Sequence, residues 1–302
     1  MRLSSLTIRS MAQAGMTEKM NEQVKAQLQL STGKRVVTAS DDPVAAARAL
    51  NVINSQSRVD QFTKNGQTAA DTMSLLETQL TNASDILTNL QDIAVQAGNG
   101  TLSDANKQQL AASVESQFRE YLSLANTQGA DGLYMFSGYQ GGTQPFTETA
   151  STGAIGTISY NGDQGVRQIQ LTESRYIQTS EAGDSVFGDS FGSIKQLYDA
   201  LMAGSSSSTY TADVTSALAG IKSAQQQIGV KVSAVGTRQN EIDMSTQVNE
   251  DLSLQYETER SHLIDVDYAE SVTNYMQAQQ LLEVTRTTYK QTQGLSLFDY
   301  LS

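Results

Sequence analysis

The residue types that carry most protein chemistry are scarce in this chain, and their spacing limits what they can do. There is one histidine, His262, in "ERSHLIDVD". Asp265 and Asp267 follow it, but residues two apart on a helix face different directions and make no ready carboxylate pair. A serine–histidine–aspartate relay would need His262, and no nucleophile elbow surrounds it. Its plainer reading is a solvated or hydrogen-bonded helix residue. Cysteine is absent, so there is no disulfide framework, no thiolate metal site and no cysteine nucleophile. "GYQGGTQPF" at 138–146 is glycine-rich, but its spacing is no dinucleotide fingerprint and reads as a turn. No P-loop and no calcium loop of EF-hand type is present. "NAS" at 82–84 and "NGT" at 99–101 match the glycosylation acceptor pattern, the first inside a helical stretch that needs no sugar to explain it. The acidic pair Asp41 and Asp42 stands before Pro43. Asp42 reads as an N-cap, followed by proline at the first helical position. Both carboxylates complement the positive end of a helix dipole, a better use than a metal site. No catalytic residue, metal or cofactor is expected.

Stepping 4-3-4-3 dominates the elements around these residues. Met16, Met20, Gln23, Gln27 and Leu30 follow that spacing, with Val24 and Leu28 widening the stripe, and Gly33 stops the helix. Ala69, Met73, Leu76, Leu80, Ala83, Leu87, Leu90, Ala94 and Ala97 form a heptad seam over four repeats, the pattern of coiled-coil packing. Gly98 and Gly100 end it. Leu110, Val114, Gln117, Tyr121 and Leu124 repeat the step in a further helix closed by Gly129. Val214, Leu218, Ile221, Gln225, Ile228, Val232, Val235, Gln239 and Ile242 do so after the "SSSS" loop at 205–208. Gly220, Gly229 and Gly236 lie inside that stretch, each costing about 1 kcal/mol against Ala, and suggest close approach of a neighbouring helix. The last helix carries Tyr268, Val272, Tyr275, Gln279, Leu282, Arg286 and Tyr289, a partly polar seam that marks a weak or shared interface.

Residues 130–192 lose the heptad and are rich in Gly, Thr and Ser. "TISYNGDQGVRQIQL" alternates apolar and polar residues beside Asn161-Gly162, which predicts a hairpin turning there. The fold class expected is mainly α: a long antiparallel helical bundle or coiled-coil rod built from both chain halves, with a small inserted antiparallel β domain at its far tip. The expected division is 1–42 with 262–302, 43–129 with 193–261, and 130–192.

Composition agrees with a thin, extended architecture. The net charge is -12 and charged residues are 17% of the chain, so the basic field of a nucleic-acid binder is missing. Trp is absent and aromatics are 6%, which argues against a large compact core. The N-terminus has no continuous apolar stretch of signal-peptide type. No run of 18 apolar residues is present, so no membrane insertion is expected.

Four stretches together resemble one family. "STGKRVVTASDDPVAAARAL" at 31–50, "GLYMFSGYQGGTQPF" at 132–146, "ISYNGDQGVRQIQL" at 158–171 and "GLSLFDYLS" at 294–302 are similar to the flagellin superfamily, and within it to the hook–filament junction proteins. Flagellins themselves usually lack the proline of "SDDPV" and end differently. The resemblance implies export unfolded through the flagellar type III system, to which an absent cysteine would be suited. It implies an extracellular place at the hook–filament junction. The implied partners are copies of the chain in a ring, the first hook-associated protein, flagellin and an export chaperone. The inserted β domain would face outward.

The expected working surface is then an assembly surface. It comprises Met16, Met20, Val24 and Leu28 in the first helix, and Tyr268, Val272, Tyr275, Leu282 and Tyr289 in the last. The C-terminal Leu295, Leu297, Phe298, Tyr300 and Leu301 join them, with Asp41, Asp42 and Pro43 as the helix-cap motif. Residues 1 to about 42 and about 262–302 are expected to fold on assembly, because ordering entropy exceeds what one copy can bury. Three other readings compete: a flagellin, an enzyme carried by residues 130–192, and a membrane-active helical protein. The absence of histidine from 130–192 weakens the second, and the negative charge weakens the third.

Overall fold

In a computed structural model, residues 5–99, 102–149 and 155–294 are described. Seven α-helices and four strands follow one another in them. The helices are α1 (Ser5–Thr32), α2 (Pro43–Ala97), α3 (Asp104–Ala125), α4 (Gly183–Phe187), α5 (Ser190–Ala203), α6 (Tyr210–Ile264) and α7 (Tyr268–Gly294). The strands are β1 (Phe146–Glu148), β2 (Ile158–Tyr160), β3 (Gln168–Thr172) and β4 (Arg175–Gln178). The mainly α class with a small β insert holds. No helix of the described residues is long and apolar enough to cross a membrane. The chain divides into two compact units, residues 1–58 with 251–302, and residues 59–250.

In the unit 59–250, every residue of the expected seam from Ala69 to Ala97 is buried. Their cluster includes residues of α3, α5 and α6, among them Val114, Ile194, Ile221 and Ile228. Two seam glutamines of α6 are bonded to α2. Gln225 Nε2 donates to Thr88 Oγ1 at 2.9 Å and Gln239 Nε2 to Glu77 Oε2 at 2.9 Å. A half-buried amide thus finds a partner rather than an apolar wall, which offsets its desolvation. On α3 the buried face is Ala111, Val114, Phe118, Tyr121 and Ala125. Leu110, Gln117 and Leu124 are rotated to its half-buried edge.

The scarcity of aromatics is offset by their concentration. Phe187 meets Tyr121, Phe136 and Phe146 edge-on, with ring centroids 5.4, 4.9 and 5.4 Å away. Phe118 and Phe191 complete the group at 5.8 Å from one another. Five of the seven phenylalanines therefore sit in one place, so this unit has a compact aromatic core after all. The Tyr121 hydroxyl is buried there and bonds Ser190 Oγ at 3.1 Å.

The strand pairing differs from the expected hairpin. β2 pairs antiparallel with β1, Tyr160 opposite Phe146, and β3 pairs with β4. No turn forms at Asn161-Gly162. A two-residue turn of that type needs two positive φ angles, and among the described residues no residue other than glycine has one, nor does Gly162. Asn161 instead closes the β1–β2 pair, its backbone N–H on Pro145 O at 2.8 Å and its side chain on Thr147 Oγ1 at 2.8 Å.

The insert is also not a terminal knob. β3 lies against the long helices: Asn65 Nδ2 donates to Gln170 O at 2.8 Å and the buried Asn249 donates to Leu171 O at 2.9 Å. Asn65 stands 32 residues before the end of α2 at Ala97, roughly 48 Å along the helix. Glu181 continues the attachment. Burial pushes its carboxyl up, but hydrogen bonds from Lys231 (2.7 Å) and Arg238 (2.6 Å) outweigh burial and hold it below its ordinary value. Arg175 also pairs with Glu241 of α6.

Of the three interior glycines in α6, only Gly220 serves close approach. A β-carbon there would collide with the Ser193 side chain of α5, whereas Gly229 and Gly236 have nothing within 4 Å. The expectation of close contact at those two is overturned.

Candidate assembly surface

The site built by the unit 1–58 with 251–302 begins at the loop between α1 and α2. Gly33 ends α1 with φ +68°, the left-handed conformation in which glycine carries no side-chain penalty. Its carbonyl accepts from Val266 N at 3.0 Å, and Arg35 N donates to Ile264 O at 2.8 Å. Arg35 Nη2 reaches Leu263 O at 2.8 Å, and its Nη1 reaches Asp42 Oδ2 at 3.3 Å. The loop after the first helix is thereby laced to the loop before the last. Val36, Ala45, Ala49 and Ile264 form the small apolar cluster beneath.

The two acidic residues have different tasks. Asp42 is the expected cap: its Oδ1 accepts from Ala45 N at 2.9 Å. That bond, then Arg35, holds its carboxyl below the usual value. Asp41 caps nothing. Its Oδ1 pairs with Lys25 Nζ of α1 at 2.8 Å, and its Oδ2 accepts from Thr38 N at 2.9 Å. The Lys25 ammonium, then the Thr38 amide, push its acidity strongly. Pro43 opens α2, as its fixed φ allows. A second cap was missed in the sequence. Asp267 Oδ1 accepts from Ala269 N at 2.8 Å and Glu270 N at 3.2 Å, starting α7. The signal was present as Asp267 three residues before Glu270, a capping-box spacing.

α1 and α7 pack on each other. Their shared seam uses Met16, Gln23, Ala26 and Leu30 on α1, all at least half-buried. On α7 it uses Ser271, Tyr275, Ala278, Leu282 and Tyr289, again stepping 4-3-4. The other predicted residues point away. Met20, Val24 and Leu28 make an outer row on α1, with Val24 57% exposed. Tyr268 and Val272 are exposed on α7, and with them Met276, Leu281 and Val284, which the 4-3 reading had missed. The expected stripe is therefore two faces: one closes the helix pair and the other is open. Leu295, Leu297, Phe298, Tyr300 and Leu301 lie outside the described residues.

Burial separates the two units sharply. In the unit 59–250 the buried apolar residues include phenylalanines, leucines and isoleucines throughout. In the unit 1–58 with 251–302 they are mostly Ala and Val, and more large apolar side chains are exposed than buried. His262 is exposed on the last turn of α6, and no cluster of metal-ligating residues forms among the described residues.

Comparison with known proteins agrees with this geometry. Residues 3–141 match the family model "Bacterial flagellin N-terminal helical region". The flagellar hook-associated protein 3 of Escherichia coli (strain K12) is 29% identical over 99% of this chain and 99% of its own. A flagellar filament 30.7 kDa core protein of Treponema maltophilum is 25% identical over 93% of each. In fold, a crystal structure of hook-associated protein 3 from Legionella pneumophila superposes with TM-score 0.64 at 20% identity, covering 70% of this chain and 98% of that one. The chain is thus similar to bacterial flagellins over its N-terminal helical region and to hook-associated protein 3 from end to end.

Proposed function

We propose that this chain is a structural, non-catalytic subunit of the bacterial flagellum, placed outside the cell where hook meets filament. Copies of it would stand in a ring, with the first hook-associated protein on one side and flagellin on the other. The observation that carries this reading is the outer apolar row of the terminal helices: Met20, Val24 and Leu28 on α1, Tyr268, Val272 and Met276 on α7. Each such side chain contributes roughly 1.5–3 kcal/mol once fully buried, and one copy leaves them in water. The C-terminal Leu295, Leu297, Phe298, Tyr300 and Leu301 extend the apolar supply in sequence. The terminal parts, 1–42 and 262–302, are read as the inner portion of the assembly, with 43–129, 193–261 and the insert 130–192 around it. Delivery unfolded by the flagellar type III system, with an export chaperone covering the terminal face, suits a chain without cysteine.

Deleting the gene tests the reading: flagellin should be secreted yet unassembled. Normal filaments in the deletion strain would end it. Folding on assembly has its own test, amide exchange on the purified chain. Fast exchange is expected at both ends, and slow exchange throughout α1 and α7 would refute it. The second reading is a filament subunit, favoured by the Treponema relative over 93% of the chain. Purified protein that grows into long filaments in vitro would select it.

A further inference from the structure

A cleft of about 790 Å³ opens inside the unit 59–250, between one face of α2 and the insert. That volume falls within the roughly 300–1,000 Å³ of small-molecule sites. Thr68, Asp71, Thr72 and Leu75 line it from α2, where spacings of three and four keep them on one face. Leu75 and Ile169 are half-buried and Met135 is buried, which gives the cleft an apolar floor. Asp131, Tyr139 and Gln168 stand exposed at its rim.

Tyr139 is 69% exposed, yet its ring is held in place. A β-carbon at Gly165 would stand 2.2 Å from its Cδ2, and 2.5 and 2.6 Å from the two ring carbons beside it. A point that close to Cδ2 in the ring plane would lie farther from both neighbours, so Gly165 sits over the face of the ring and not at its edge. The backbone N–H of Tyr139 donates to Asp163 Oδ1 at 2.8 Å and fixes the same loop. One face of the ring is thus covered by a glycine, and the other is left open to solvent.

The polar groups of the cleft are of both kinds. The Asp71 carboxylate has no hydrogen-bond or ion-pair partner among the described residues. Thr68 and Thr72 donate their hydroxyl protons to carbonyls of α2, at 3.1 and 2.8 Å, and keep only acceptor capacity. Arg167 pairs with Asp131 at 3.3 Å and reaches Tyr134 O at 3.4 Å, which fixes the guanidinium and leaves further N–H donors. Asp131 is itself held by the Leu133 amide at 3.0 Å. A cation entering the cleft meets Arg167, and an anion meets Asp71 and Asp131, so a ligand of either charge is opposed. We infer that the cleft binds a neutral pyranose sugar, stacked on the open face of Tyr139 with its hydroxyls on Asp71 and Arg167. A sugar hydroxyl donates and accepts at once, as this mixed set requires. The C–H groups of a pyranose face carry partial positive charge and suit the negative face of an aromatic ring. A platform and a guanidinium held before the ligand arrives cost little further ordering. The inference stands independently of the structural reading above.

The purified full chain tests this. The probes are the methyl glycosides of glucose, galactose, mannose and N-acetylglucosamine, and an array of neutral glycans ending in the same sugars. Calorimetry and saturation-transfer NMR should show at least one of them bound, with transfer strongest on the C–H groups of one sugar face. Tyr139→Ala, and Gly165→Ala, which pushes the ring aside, should each weaken binding at least tenfold. Tyr139→Phe keeps the stacking face and should stay within threefold. Asp71→Asn, on the exposed side of α2, should leave the melting temperature unchanged and weaken binding at least fivefold. A glycan held at least tenfold more tightly than its terminal methyl glycoside supports the inference with a glycan end as the source, and equal affinity supports it with a free sugar. No binding across all the probes overturns it. So does sugar binding that Tyr139→Ala leaves unchanged, or tighter binding of arginine amide or inorganic phosphate than of every sugar.

Discussion

The carboxylate of Asp41 sits 2.8 Å from the ammonium of Lys25 and accepts the Thr38 amide with its other oxygen, so one side chain fixes the loop to α1. Asp41, Asp42 and Glu181 all bind a proton more weakly folded than unfolded. The unfolded chain therefore takes up protons first as pH falls. Stability is full above the ordinary carboxylate value of about 4, and it is lost as pH drops below that toward the folded values. Thermal melts should be flat from pH 7 to 5 and fall steeply by pH 3. In assembled flagella, where α1 is ordered, Asp41→Asn should lower the melt at pH 7 and reduce its acid dependence. An equal melting temperature at pH 3 and pH 7 would contradict this.

The three α6 glycines should separate. Gly229→Ala and Gly236→Ala gain about 0.5–1 kcal/mol each, because open space receives the methyl and the helix gains propensity. Gly220→Ala should instead destabilise, since Ser193 of α5 occupies that space. Urea unfolding of the single variants measures both signs.

Phe187→Ala should cost about 3–5 kcal/mol in the same titration, because its ring is the one that Tyr121, Phe136 and Phe146 share. A loss below about 1 kcal/mol would mean that the aromatic core repacks around the gap.

Glu181→Gln keeps the shape and removes the charge that Lys231 and Arg238 bond. About 1.5–3 kcal/mol should be lost. Faster amide exchange should be confined first to β3 and β4, which this anchor holds on α6. Uniform acceleration across α2 and α6 instead would show that the anchor supports the helices rather than the insert.

The open and closed faces of the α1–α7 pair should respond oppositely. Replacing Met20, Val24 and Leu28 together by Gln should change the monomer's stability by less than about 0.5 kcal/mol per site, yet abolish incorporation into flagella. Leu282→Ala, on the closed face, removes about 2–5 kcal/mol of packing where α1 and α7 are ordered, so it should lower the melting temperature of assembled flagella. Circular dichroism melts and immunoblots of purified flagella read the two effects.

The seam from Ala69 to Ala97 was fully legible because nothing interrupts its 4-3 stepping and one face of α2 is apolar. The terminal helices were legible as helices but not as faces. Met16 and Met20 are chemically alike, and only the position of α7 decides that the first is covered and the second open. Tyr275 and Tyr268 differ in the same way. The insert was least legible. β1 is three residues long, too short for alternation to show, and Asn161-Gly162 carried a turn signal that Pro145 and Thr147 turned to another use. Glu181 had no sequence signal, since its partners lie 50 and 57 residues away.

The hydrogen bond from Gln239 to Glu77 joins residues 162 apart, and Asn65 waits 105 residues for Gln170. Such distant pairings come late, because each needs a long loop to close before it returns any energy. A chain threaded through a narrow passage from its first residue has about three-quarters of its length to deliver before α2 can meet its partner. The topology itself delays folding, so the longest helix pair forms only where both halves of the chain have arrived.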